Sequence, residues 1–230
     1  MRIGIIGAGN IGGTLALRLT QLGHEVSIAN SRGPDTLAGL AKETGARPVT
    51  VEQAARAGDV VIVTIPEKSV RDLPKGLFDG VPQDVVVVDT GNYYPTRRDG
   101  LIQEIESGKT ESRWVSDRLG RSVVKAFNNI RARSLGAGGK PKGTRGRIAL
   151  PVAGDDPRTK TVVMRLVEDL GFDPIDAGGL DESWRQQPGT PVYTADFDAD
   201  RVKRALAEAS PERAGGFRAD AGGAAVAKGR

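Results

Sequence analysis

The feature that most constrains this chain is its opening. An apolar run, Arg2-Ile3-Gly4-Ile5-Ile6, leads at once into Gly7-Ala8-Gly9-Asn10-Ile11-Gly12. A segment of helical period follows from Asn10 to Leu22, with Leu15, Leu19 and Leu22 on one face and Gly23 as its stop. Gly7 permits a tight turn, Gly9 leaves bare backbone for a pyrophosphate to approach, and Gly12 lets helix and strand pack closely. The helix start also offers free N–H groups to an anion. A second strand, Val26 to Ala29, arrives where a strand–helix–strand unit needs it. The opening therefore predicts a dinucleotide site; the alternative is a glycine-rich turn that binds nothing.

The rest of the chain repeats the alternation of short β-branched runs and helical segments. A helix is expected from about Pro34 to Thr44, ending before Gly45. Strands are expected at Val49 to Val51, Asp59 to Thr64, Asp84 to Asp89, Ser122 to Ala126, Ile148 to Ala153 and Pro174 to Asp176. The runs 59–64 and 84–89 are apolar almost throughout, as in strands buried on both faces, and belong in the middle of a sheet. The predicted fold is α/β, a Rossmann-type doubly wound parallel sheet with a small C-terminal extension. Residues 1–180 form the sheet domain, 181–210 the extension and 211–230 a Gly/Ala-rich flexible tail. A second loose segment is the Gly-rich basic stretch Gly136 to Arg147.

Composition closes off several chemistries. The 230 residues include no cysteine and one histidine, which excludes disulfides, zinc fingers, iron–sulfur clusters and multi-histidine metal sites. That histidine, His24, falls in the turn between the first helix and second strand, away from the phosphates, and reads as structural. The formal charge of +4 resides in residues 201–230, with seven Lys/Arg against three Asp/Glu, so the body of the chain is neutral. A basic tail on a neutral body, with 4% aromatics, does not read as a nucleic-acid surface. No apolar run has the length of a membrane span and no signal-peptide pattern opens the chain, so a cytoplasmic location away from membranes is expected.

Candidate site residues follow from the strand ends, where open α/β sheets bind ligands. The second strand ends Ile28-Ala29-Asn30-Ser31-Arg32, with no acid before Asp35 to take a ribose 2′-hydroxyl. Arg32 is a fixed cation and Asn30 or Ser31 can donate to a phosphate oxygen, which favours NADP; otherwise Arg32 caps a solvated turn. Thr64-Ile65-Pro66 and Thr90-Gly91-Asn92 end the next long strands and are candidates for ribose and nicotinamide contacts, or else ordinary turns. Asn128 and Asn129 follow Val124-Lys125-Ala126-Phe127 and either hydrogen-bond a carboxamide or flavin-like ring edge or form a turn. Lys125 reads as a packing or ion-pair residue before a general acid. No catalytic dyad is evident.

Gly7 to Gly12, Asn30-Ser31-Arg32, Val124 to Asn128, Val152-Ala153-Gly154-Asp155-Asp156 and Asp176-Ala177-Gly178-Gly179-Leu180 together resemble the NADPH-dependent coenzyme F420 reductase family. A similar pattern occurs in the oxidoreductase domains of STEAP metalloreductases. The resemblance runs over roughly residues 2–185. It implies hydride transfer between NADP and a deazaflavin or flavin (F420, FMN or FAD) as second substrate, often in a homodimer. It also places Ala8 to Ile11 on the pyrophosphate, Ser31 and Arg32 on the 2′-phosphate, and Ile65, Asn92 and Ile130 near the nicotinamide. Positioning, more than a protein acid or base, would then supply catalysis. The 136–147 loop and the stretch after Asp181 depart from the family pattern; Lys140, Lys142, Arg145 and Arg147 either attract an acidic tail such as that of F420 or are a solvated loop. Two other readings are a small-molecule reductase, which needs a long helical C-terminal domain, and an NADP(H)-binding redox sensor without turnover.

Overall fold

The computed structural model describes residues 1–219. The chain opens as expected with strand β1 (Arg2–Ile6), helix α1 (Asn10–Gln21) and strand β2 (Glu25–Ala29). A 3₁₀ turn, Pro34–Leu37, runs into α2 (Ala38–Thr44), which ends on Gly45 in the left-handed conformation. There follow β3 (Arg47–Pro48), α3 (Val51–Ala55), β4 (Val60–Val63), α4 (Glu67–Val70), β5 (Val86–Asp89), α5 (Gln103–Glu106), α6 (Glu111–Leu119) and β6 (Val124–Lys125). The third strand thus lies earlier than its β-branched residues suggest. Thr50 and Gln53 form a reciprocal capping box, and that box makes Val51 the first residue of a helix.

These six strands form one parallel sheet in the order β3-β2-β1-β4-β5-β6, a Rossmann arrangement. Successive residues of β4 face opposite cores. Val60 and Ile62 join Ile3, Ile5, Leu15, Leu19 and Val88 on the α1 side, while Val61 and Val63 join Ile6, Ala54, Val87 and Trp114 on the α3 and α6 side. Both faces are sealed, which is why the runs at 59–64 and 84–89 read as unbroken apolar stretches.

The chain then forms α7 (Ala132–Ala137), β7 (Ala149–Val152), α8 (Pro157–Asp169), β8 (Asp173–Asp176) and α9 (Ala199–Glu208). Strands β7 and β8 do not extend the main sheet. They pair with each other in a two-stranded parallel sheet, joined to β6 by a single antiparallel bridge between Lys125 and Ala153. Val192, Val202, Ala205 and Leu206 pack with Ala149 in a small third core, so the sequence after 181 is anchored to β7. Leu166, Val167, Leu170 and Phe172 from the α8 region complete the larger core.

Two segments expected to be loose are tied down. Arg147 is 3% exposed, pairs with Asp173 at 2.5 Å and donates to the carbonyls of Lys140, Glu168 and Gly171. Residues 211–219, expected to be the start of the tail, lie against the body through Arg213 and Phe217. Residues 220–230 of that tail lie outside the described residues. Among the described residues no helix is long and apolar enough to cross a membrane, and no His/Cys/Asp/Glu group is arranged to hold a metal ion.

Candidate dinucleotide site and the buried charges beside it

The β1–α1 turn has the form its glycines require. Gly7 adopts φ +117° and a Cβ there would lie 2.2 Å from the Thr64 carbonyl oxygen. A Cβ on Gly12 would lie 2.0 Å from the Gly7 carbonyl oxygen, so helix and turn are in direct backbone contact. Gly9 differs from both, because nothing stands within 4 Å of the place its Cβ would take. It is the N-cap of α1, no side chain caps that end, and the first turn holds no acid. An uncapped, acid-free helix start beside bare backbone is a donor set for a phosphate.

A cleft of about 710 Å³ opens here, at the C-terminal edge of the sheet where β1 lies between β2 and β4. It brings together Gly7, Ala8, Gly9, Asn30, Ser31, Arg32, Thr64, Ile65 and Pro66, as the strand ends suggested. Asn10, Ile11 and Gly12 continue from it along α1. Arg32 stands exposed at its rim. Asn30 has a task within the turn itself. Its Oδ1 accepts from the Arg32 backbone N–H at 2.9 Å and its Nδ2 donates to Thr36 Oγ1 at 2.9 Å, so it shapes the turn that presents Ser31 and Arg32. Sequence reading missed Thr50 and Glu52 at the start of α3, and Ser69, Asp72 and Leu73 after Pro66, which line the same cleft. The Thr50–Gln53 spacing was the signal available for the first pair.

Thr90, Gly91, Asn92, Asn128 and Ile130 lie further along the same edge, at the ends of β5 and β6. Thr90 is buried and bonded to the Val63 carbonyl, and Ile130 is buried in the larger core. Asn92 and Asn128 are locked together. Asn92 Nδ2 donates to the Asn128 carbonyl at 2.9 Å, and Asn128 Nδ2 donates to Asn92 Oδ1 at 3.1 Å and to the Gln186 carbonyl at 2.7 Å. Gln186 Nε2 donates to Asn128 Oδ1 at 2.8 Å. Asn128 has therefore spent its amide inside the protein, and the expectation that it reads a ligand is corrected: it braces Asn92. His24 lies at the opposite end, 3.2 Å from the N-terminal nitrogen, as its turn position predicted.

Beneath this end lies a buried charge cluster. Lys125, 0% exposed, donates to Asp89 Oδ2 at 3.0 Å and to the Gly91 carbonyl at 2.6 Å. Asp89 Oδ2 also accepts from Ser112 Oγ at 2.6 Å, and its Oδ1 accepts from the Gly91 N–H at 2.8 Å. Lys125 is thus the ion-pair residue its apolar strand implied. Burial alone would lower its pKa, but Asp89, Glu111 and Glu67 outweigh that and the net shift is upward.

Glu111 is fully buried and accepts from Arg213 at 2.8 Å; Asp99 accepts from Arg98. Glu67 is also fully buried, and neither of its carboxyl oxygens has a hydrogen-bond partner. Burial, then the neighbouring Asp89, push its pKa well above the ordinary value. The count agrees. Asp89, Asp99 and Glu111 are matched by Lys125, Arg98 and Arg213, so the cluster is neutral when Glu67 keeps its proton. No sequence signal marked Glu67, Glu111 or Arg213, because their partners come from distant parts of the chain.

Residues 2–93 match the family model for NADP oxidoreductases, coenzyme F420-dependent. The protein YjhV of Escherichia coli K12 is 51% identical over 104 residues, 45% of this chain, and the match spans 64% of that relative's length. A hypothetical protein from Sinorhizobium meliloti superposes with a TM-score of 0.73 at 33% identity, over 87% of this chain and 97% of the other. An F420-dependent NADP-reductase candidate from Arthrobacter sp. FB24 gives a TM-score of 0.65 at 24% identity, over 78% and 85%. The 3-hydroxyisobutyrate dehydrogenase of Mycobacterium tuberculosis shares the fold alone, with a TM-score of 0.57 at 19% identity, and 56% of its length is covered.

Proposed function

Because the chain belongs to the family of NADP oxidoreductases described as coenzyme F420-dependent, we propose that this protein transfers a hydride between NADP(H) and F420 or a flavin. The observation that carries the reading is the cleft itself: an uncapped α1 start with open space over Gly9, next to a β2 end that offers Ser31 and Arg32 and no acid. A carboxylate there would accept from a ribose 2′-hydroxyl and repel a 2′-phosphate; a guanidinium does the reverse.

The backbone amides of Ala8 to Ile11, in the β1–α1 turn and the start of α1, hold the pyrophosphate, and Ser31 and Arg32 hold the 2′-phosphate. Thr64, Ile65 and Pro66 wall the cleft between the two halves of the cofactor. Asn92, at the end of β5, meets the nicotinamide end, and Asn128 and Gln186 hold it rigid. The cofactor supplies the hydride. The chain supplies a fixed floor for one ring and an orientation that brings the second ring against it.

Purified protein should oxidise NADPH with F420, FMN, FAD or riboflavin as acceptor, followed by loss of the reduced-nicotinamide absorbance. Turnover with F420 alone identifies a deazaflavin reductase and turnover with flavins a flavin reductase. Tight NADPH binding without turnover on any acceptor refutes the enzyme reading in favour of a sensor. Arg32→Ala should weaken NADPH binding by about 1.5–3 kcal/mol, the range for a hydrogen bond to a charged group, and leave NADH binding nearly unchanged. Equal losses for both would remove the 2′-phosphate assignment.

A further inference from the structure

Gly91 is held on three sides by ionisable side chains from three elements. Its N–H donates to Asp89 Oδ1 on β5, and its carbonyl accepts from Lys125 Nζ on β6 at 2.6 Å. Above its Cα, any Cβ would lie 2.5 Å from Glu67 Oε1 on α4. Asp89 is fixed in turn by Lys125 and by Ser112 on α6. The peptide that follows leads into Asn92, whose side chain is locked to Asn128 and whose carbonyl accepts from Arg98.

A buried pair of this kind is a poor way to stabilise a fold, since desolvating both charges offsets most of their attraction and an apolar pair of similar volume does as well. What the pair supplies that leucine or methionine would not is a donor and an acceptor at fixed points, one for each backbone group of Gly91. We propose that Lys125 is a positioning residue for hydride transfer, acting through Asp89 and the Gly91 peptide to set the height of the Gly91–Asn92 segment at the nicotinamide end. This rests on the function proposed above, and it assigns to Lys125 a task distinct from holding β6 in the sheet.

The test separates geometry from stability. Lys125→Met should destabilise the protein, because Asp89 is left buried without its cation. Lys125→Met combined with Asp89→Asn restores neutrality and keeps an acceptor for the Gly91 N–H, while the Gly91 carbonyl still lacks its donor. The double variant should melt close to the parent and bind 2′,5′-ADP, a probe of the adenosine half, with parental affinity. Its kcat for NADPH oxidation should remain depressed by about a hundredfold, the scale for a reacting group displaced by about an ångström. Recovery of kcat together with the melting temperature would make Lys125 merely structural and overturn the proposal.

Should the double variant not fold, Ser112→Ala leaves both charges in place and frees one side of Asp89. A several-fold fall in kcat at unchanged melting temperature and 2′,5′-ADP affinity supports the proposal, and parental kcat overturns it. Failure of the parent protein to bind 2′,5′-ADP or NADPH refutes instead the function on which the proposal rests.

Discussion

At the glycine turn the constraints come from residues a few positions apart, or from the backbone of the adjoining strand. At the end of β5 and β6 they come from side chains drawn from α4, α6, β5, β6 and the segment after α9. Gly7, Gly12 and Thr64 close on one another through carbonyl oxygens, and Asn30 folds back on Arg32 two residues away. Lys125 instead finds Asp89 across 36 positions, and Arg213 finds Glu111 across 102. The first kind of site is written in a short motif and tolerates change in the rest of the molecule. The second depends on the whole fold being in place: its charges are paired across the chain, and Glu67 is buried among them with neither carboxyl oxygen hydrogen-bonded.

The comparison predicts unequal fragility, and the largest effect should come from the end with no motif. Arg213→Ala leaves Glu111 buried without its cation, and thermal or urea unfolding should show a loss of about 3–5 kcal/mol. Adding Glu111→Gln should recover most of it. A single variant as stable as the parent would mean that the Arg213–Glu111 pair contributes nothing to stability.

The turn should fail more selectively. Gly12→Ala pushes a methyl group into the Gly7 carbonyl and should cost about 1–3 kcal/mol of stability. Gly9→Ala meets nothing in the protein, so its melting temperature should stay at the parental value while NADPH affinity falls about tenfold, equivalent to ~1.4 kcal/mol. If both variants melt alike, the assignment of open space at Gly9 and of close packing at Gly12 is wrong.

The smallest effect concerns pH. The folded protein holds on Glu67 a proton that the unfolded chain gives up near the ordinary value of 4.5, so stability drains away as pH rises from there through the raised folded value. Glu67→Gln removes that dependence while keeping the shape. Its melting temperature should exceed the parent's at about pH 8, and the two should converge at about pH 4 where the carboxyl is protonated in both states. Glu111, also raised by burial, stays in place, so the slope should flatten without vanishing. Parallel curves for parent and variant would show that Glu67 is ionised in the folded protein.

The sequence by itself determined the parallel sheet, the glycine turn and the acid-free end of β2, and it favoured a packing or ion-pair role for Lys125 over a general acid. Each of these depends on local stereochemistry or on an apolar period that survives in one dimension: a glycine at φ +117°, a missing carboxylate, a polar residue inside a run of valines. Where a short-range rule was overlooked, as with the Thr50–Gln53 cap that makes Val51 the start of a helix and leaves the third strand earlier in the chain, the information was present in the sequence. The tertiary structure alone decided that Asn128 turns inward, that Arg147 leaves its basic loop for Asp173, and that Glu67, Glu111 and Arg213 join one buried cluster. A buried charge is stable only beside its partner, and which residue becomes that partner depends on how the helices cross the sheet, a fact no stretch of sequence contains.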